Sequence, residues 1–140
     1  MRERRMAEII RDRKPLALRP DSTVAEACAA MHARRVGAVL VVEPGDRLVG
    51  IFTGRDAIRC LAHGYDGRGT TLRQVMTPNP VTIAPEQPAI EALRILDNCG
   101  FRHLPVCQDG HARGIVSRYD FRAMEHAQLD EETGFFEVLR

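Results

Sequence analysis

A shift of 65 residues lays the first half of this chain on its second half, and that internal repeat restricts the possible folds more than any other feature. Pro15-Leu16 falls on Pro80-Val81, Leu18 on Ile83, Pro20-Asp21 on Pro85-Glu86, Glu26-Ala27 on Glu91-Ala92, and Gly45 on Gly110. After a one-residue slip at a turn, Gly50-Ile51 falls on Gly114-Ile115, Thr53 on Ser117 and Asp56 on Asp120. A unit of about 50 residues buries too little surface to be secure alone, so the two copies are expected to cover each other's apolar sheet faces.

Both copies read in the same order. A short extended piece comes first ("PLAL", "PVTI"), its prolines disfavouring helix and suiting an edge or irregular strand. A helix is predicted from Thr23 to about Arg34 and from Ala89 to about Asn98. Val24, Ala27, Cys28 and Met31 form a one-faced apolar stripe, which Ala89, Ala92, Leu93 and Leu96 repeat. "TVAE" fits a capping box and Pro88 a first-turn proline. Two apolar strands then flank a Pro-Gly-Asp turn in the first copy and an Asp-Gly turn in the second, as hairpins do. A last helix is predicted to begin near Asp56 or Asp120, with Ala57, Ile58 and Leu61, or Phe121 and Met124, as its apolar residues. The predicted class is α/β (α+β), strand–helix–strand–strand–helix twice over. The first unit with its lead-in covers 1–62, a glycine-rich linker 63–71, the second unit 72–126 and a tail 127–140.

Composition excludes several classes. A net charge of +1, with no basic stripe interleaved with aromatics, argues against nucleic acid. No apolar run approaches the roughly 20 residues of a membrane span. "MRERRMAEII" lacks a signal peptide's apolar core and cleavage site, so a cytoplasmic protein is expected. Cys28, Cys60, Cys99 and Cys107 form no C-x-x-C pair and are expected to be reduced and packed. The histidines lack ligand spacing, and no nucleophile elbow, Walker loop or dinucleotide fingerprint occurs. The expectation is therefore no enzyme, no metal and no catalytic cofactor.

The repeated junction, "GIFTGRD" and "GIVSRYD", carries the chemistry. A hydroxyl residue three places before an acid at a helix start is a capping pattern. The same geometry presents free N–H groups suited to phosphate, and a carboxylate able to accept both hydroxyls of a ribose diol. Because a carboxylate repels phosphate, Asp56 and Asp120 are assigned to ribose. Thr53 and Ser117 serve phosphate or cap the helix, and the two readings are compatible.

With "VMTPNPVTI" and "FRHLPVCQDG", the twin junctions resemble a tandem CBS-domain pair (a Bateman module) over Ile9 to Met124. The resemblance implies two units about a pseudo-twofold axis. It also implies two clefts for adenosine-containing ligands such as AMP, ADP, ATP, NAD or S-adenosylmethionine, and a regulatory role. It places Ser117 and Asp120 with Leu16, Ala17, Val36, Gly37 and His103 in one site, within reach of Lys14. Thr53 and Asp56 join Val81, Phe101 and Arg102 in the other. Arg55 and Arg118 flank the aspartates, and Arg102 and His103 are candidates for phosphate. Tyr119 stands where a small residue is common in the family, so it is placed to stack on a base or obstruct its cleft, and unequal sites are expected.

The resemblance also implies a homodimer. No output domain is expected, so energy or redox sensing would act on a separate, unknown partner protein or through ligand buffering. The alternative is a ligand-free dimerisation or docking scaffold. In the tail, Phe135, Phe136, Val138 and Leu139 are expected to pack on the second unit or on a partner chain.

Overall fold

The structure, a computed structural model, describes the backbone of residues 3–138 and the side chains of residues 3–132. The chain runs α1 (Met6–Ile10), β1 (Ala17–Leu18), α2 (Val24–Arg34), β2 (Ala38–Glu43), β3 (Arg47–Thr53), α3 (Gly54–Ala62), α4 (Leu72–Val75), β4 (Thr77–Pro78), α5 (Ala89–Cys99), β5 (His103–Gln108), β6 (His111–Ser117), a 3-10 turn (Arg118–Asp120) and α6 (Ala123–Val138). The α+β class and the twofold repeat predicted from sequence are thus what the chain forms.

The long helices follow their stripes. Val24, Ala27 and Met31 are buried on α2, and Ala89, Ala92, Leu93 and Leu96 on α5. Thr23 caps α2 by accepting the Glu26 N–H at 3.1 Å. The next donors of α2 are satisfied from the glycine-rich segment: Val24 N–H reaches Thr70 O at 2.9 Å and Ala25 N–H reaches Gly67 O at 2.8 Å.

The hairpins repeat in register. Val41/Val42 and Val106/Cys107 carry the same irregularity, 65 residues apart. Asp109 and Gly110 both have positive φ, which a two-residue hairpin loop requires. β1 lies parallel to β2, with Leu18 opposite Val41. Its counterpart in the second copy is a single parallel bridge from Ile83 to Val106. The strand order β1-β2-β3-β6-β5, with β4 beside β3, is mixed, and the copies join where Arg47 meets His111 at the hairpin tips.

Alternation along β2 divides the core. Val39 and Val41 face the helices of the first copy, whereas Ala38, Leu40 and Val42 face the other way, into a layer shared with Ile115 of the second copy. Leu104, Val106 and Val116 lie with Leu93 and Leu96 in the second copy's own cluster.

Each copy also borrows a helix. α1 precedes the first copy but buries Met6, Ile9 and Ile10 in the second copy's cluster. α4 buries Leu72 and Val75 in the first copy's cluster, and β4 pairs with β3. The bonds that seat them correspond: Met6 N–H to Gln87 O at 2.9 Å and Ala7 N–H to Pro85 O at 2.8 Å, against Leu72 N–H to Ser22 O at 2.8 Å and Arg73 N–H to Pro20 O at 2.9 Å. The first glycine of each junction makes room for the exchange. A Cβ on Gly50 would stand 2.4 Å from Met76 Sδ, and one on Gly114 would stand 2.8 Å from Ile10 Cγ2.

Some expectations change. Of the apolar residues assigned to α3, Ala57 packs against the core, but Ile58 and Leu61 point outward, 68% and 80% exposed. After the second junction the helix does not start at Asp120: Phe121 is extended (φ −100, ψ 145), and α6 begins at Ala123. There Phe121 is buried and Met124 exposed. Cys60 and Cys107 are buried and Cys28 half-buried, their thiols pushed up chiefly by burial, but Cys99 is exposed. The expectation for Phe135, Phe136, Val138 and Leu139 lies outside the described side chains.

Candidate functional site

The two junctions, alike in sequence, present their carboxylates differently. At the first, Asp56 Oδ2 accepts from Thr53 N–H at 2.9 Å and from the Thr53 hydroxyl at 3.1 Å, while Asp56 N–H donates to Thr53 Oγ1 at 3.3 Å. Asp56 Oδ1 pairs with Arg59, one turn along α3, at 2.9 Å. Both oxygens are engaged within one helix, and the residue is buried. This is the full capping arrangement.

At the second junction, Ser117 N–H donates to Asp120 Oδ2 at 2.7 Å. The other oxygen meets Arg13, which arrives from the segment after α1. The Asp120 side chain is 18% exposed, against 8% for Asp56. The short 3-10 turn, in place of a full helix, sets this carboxylate on a cleft wall.

That cleft measures ≈ 1240 Å³, ample for a nucleotide on the scale of ordinary ligand sites. One wall is Asp12 to Leu16 and the end of α2 through Ala38; the other is Arg102, His103, Ile115 to Phe121 and His126. Both copies therefore build it. Lys14, Leu16, Val36, Gly37, His103, Ser117, Arg118 and Asp120 line it as the sequence assignment grouped them. Arg102, assigned from sequence to the Asp56 site, lines this cleft as well. Ala17 does not; it pairs with Leu40 and packs against the shared layer.

The Asp56 group is not gathered in the same way. A smaller cleft of ≈ 590 Å³ includes Gly54 and the end of α2. Thr53, Arg55, Asp56, Val81 and Phe101 line neither cleft. Arg55, Val81 and Phe101 are exposed.

Charge is concentrated in the larger cleft. Arg13, Lys14, Arg34, Arg35, Arg102 and Arg118 line it, against the carboxylates of Asp12 and Asp120. Arg118 is held by Asp97 at 2.9 Å, and Arg34 donates to Lys14 O at 2.6 Å, tying the end of α2 to the lead-in. His103 lies against Gly37, its Cε1 3.2 Å from where a Cβ would be, so a side chain at that glycine would press on the imidazole. Burial, and then the Arg102 charge, push the His103 imidazole below its ordinary range, with Asp120 opposing. Tyr119 is 98% exposed and stands at the rim, leaving the cleft unobstructed. His126 rests beside Arg118 O at 3.2 Å and edge-on to Phe121.

Sequence reasoning missed Arg13, Arg34 and Arg35. Arg13 adjoins Lys14 in the run "RDRK", but its reach to Asp120 depends on the exchanged α1. Arg34-Arg35 falls opposite Cys99-Gly100, a difference between the copies that was legible.

The arrangement joins a carboxylate anchored by a backbone N–H, apolar walls at Leu16, Val36 and Ile115, and a ring of cations. That combination suits a diol, a flat apolar group and an anion in one ligand. Among the described residues, no helix is long and apolar enough to cross a membrane.

Comparisons with known proteins agree with this architecture. Over 113 residues, 80% of its length, the chain is 40% identical to the CBS domain-containing protein CBSCBSPB2 of Arabidopsis thaliana, of which it spans 21%. A CBS domain protein from Pyrobaculum aerophilum, complexed with AMP, superposes with a TM-score of 0.82 at 23% identity, covering 91% of this chain and 99% of that one. The CBS domain pair of protein MJ0100, in complex with 5′-methylthioadenosine and S-adenosyl-L-methionine, gives 0.77 at 20% identity, covering 94% and 99%. The family model of the CBS domain matches residues 7–63 and again residues 72–126, so the chain belongs to the CBS domain family and carries the domain as a pair.

Proposed function

We propose that this CBS pair is a regulatory, non-catalytic module that binds one adenosine-containing ligand per chain in the Asp120 cleft. The carrying observation is that Asp120, held by Ser117 N–H, faces a cleft built by both copies and rich in cations. Asp120 takes the ribose hydroxyls, Leu16 and Val36 flank the base, and His103 and the arginines take phosphate. The ligand class is AMP, ADP, ATP, NAD or S-adenosylmethionine. Similarly folded proteins were solved with AMP and with S-adenosyl-L-methionine, which supports the class. A ligand bridging the two copies shifts a conformational equilibrium to the extent that it binds the two states differently. Through such a shift a cytoplasmic homodimer would report energy or redox state to a separate partner.

A second reading, a ligand-free scaffold, draws on the first junction alone, where Asp56 is closed by its own cap and Arg59. Calorimetry separates the two. Titration with adenine nucleotides, NAD and S-adenosylmethionine is expected to give one site per chain. Asp120→Ala is expected to abolish it. Asp56→Ala should leave it, while lowering stability by ~0.3–1.5 kcal/mol through the lost carboxylate half of the capping box, since Thr53 still caps the helix. A ligand at 100 times its Kd adds ~2.7 kcal/mol to stability, so a thermal-shift screen reads the same result. Silence from every ligand at millimolar concentration would establish the scaffold, and binding undiminished in Asp120→Ala would refute the ribose assignment.

A further inference from the structure

Helix α2 ends on a residue that is poorly suited to its backbone. Arg35 has φ 54 and ψ 43, in the left-handed region, and its N–H closes the helix onto His32 O and Met31 O. The matching end of α5 is Gly100, at φ 66. Glycine adopts this conformation without strain, whereas a residue with a Cβ is disfavoured there, and asparagine is the usual exception. The first copy thus keeps an arginine where the second shows that glycine would end the helix equally well. Strain held at a ligand cleft is a mark of function when the side chain has somewhere to act.

Arg35 has such a place. It lines the larger cleft, and among the described residues it makes no ion pair. Neither do Lys14 on the same wall nor Arg102 on the opposite one, whereas Arg13 and Arg118 are engaged by Asp120 and Asp97. Among the described residues Arg34 bonds only to the neutral Lys14 carbonyl, so the uncommitted charge in the cleft is four cations against one carboxylate, Asp12. A single phosphate leaves part of that charge unanswered. S-Adenosylmethionine, with its sulfonium and ammonium groups, adds positive charge to it. A chain of phosphates spans the gap between the two walls, and arginine forks suit its oxygens.

We infer that the Asp120 cleft is selective for an adenine nucleotide bearing two or more phosphates, and that Arg35 is the specificity-determining residue that grips the distal phosphates. This rests on the adenosine-ligand reading above. It goes further by separating the ligands that reading leaves equal.

The test is calorimetric titration of the full chain, in magnesium-free buffer, with adenosine, AMP, ADP, ATP and S-adenosylmethionine. ADP and ATP are expected to bind at least about tenfold more tightly than AMP, with S-adenosylmethionine weakest, as expected when charged hydrogen bonds are added. Arg35→Gly is expected to melt at a higher temperature than the parent without ligand, because the strain is gone. It should also lose about tenfold or more in ATP affinity while AMP binding changes little. Arg35→Asn, which tolerates the left-handed region, should lose ATP affinity in the same way. AMP or S-adenosylmethionine binding as tightly as ATP overturns this inference and leaves the adenosine reading standing. ATP affinity unchanged in both Arg35 variants overturns the role of Arg35. No binding by any of the five overturns this inference, and silence from NAD as well overturns the adenosine reading with it.

Discussion

His103 is a residue whose environment makes a measurable statement. Burial and the Arg102 guanidinium favour its neutral form, with Asp120 opposing only in part. A histidine lowered in this way contributes stability that is present above its unfolded value, near ~6.5, and lost as pH falls through the folded value. A bound phosphate reverses the balance, because an anion beside the imidazole favours the charged form. Binding should therefore take up a proton. Affinity for a phosphate-bearing ligand is expected to rise as pH falls from about 8 towards about 6.5, with the uptake read from calorimetry in buffers of different ionisation enthalpy. The phosphate's second ionisation, near pH ~6, works the other way. His103→Gln isolates the imidazole, since only the histidine contribution disappears. Identical pH profiles in the parent and the glutamine variant would remove His103 from the phosphate contact.

Among the elements, the exchanged short helices hold the pair together, and glycine is what lets them seat. The atoms closest to a Cβ on Gly114 are Ile10 Cγ2 and Ile10 Cβ, at 2.8 Å and 2.9 Å. A branched carbon cannot swing aside as a chain end can, so α1 must shift. Gly114→Ala is expected to cost ~1–3 kcal/mol, the usual range for overpacking. Ile10→Ala alone costs ~2–5 kcal/mol by leaving a cavity. Together the two changes should be less damaging than their sum, because each relieves the other. Urea denaturation of the parent, both single variants and the double variant gives that coupling. Effects that add within about 0.5 kcal/mol would mean that Ile10 and Gly114 do not meet.

This element level is also where legibility from sequence divides. α2, α5 and both hairpins follow from periodicity and turn residues, because the signal lies within each segment. "MAEII" and "LRQV" are too short to show a period, and the copy each packs on is decided by contacts about 80 and 50 residues away. Asp56 and Asp120 were legible as a pair. What makes them unequal, Arg59 closing on one and Arg13 reaching the other, depends on side-chain placement across a turn and across copies.

For the whole molecule, the repeat is symmetric in its core and asymmetric on its surface. Ile58 and Leu61 stand outward on α3, three apart and so on one helix face, and both are well exposed. The residues 64 positions on are Arg122 and Glu125. Glu125 is committed inward to Arg4 at 2.6 Å. Its carboxyl lies below the usual carboxylate range: burial alone would raise it, but the Arg4 guanidinium and the Arg122 N–H outweigh that. The outer apolar pair therefore belongs to the first copy alone. If the homodimer proposed above uses this face, two α3 helices must meet across a twofold axis, since a closed dimer joins the same patch on both chains. The double substitution Ile58→Glu with Leu61→Glu places four carboxylates at such a seam. Sedimentation velocity at micromolar concentration is expected to show a dimer for the parent and a monomer for the variant. Neither residue lines the Asp120 cleft, so nucleotide affinity per chain should be kept. A variant that still sediments as a dimer would move the interface away from α3, and a monomeric parent would remove the dimer altogether.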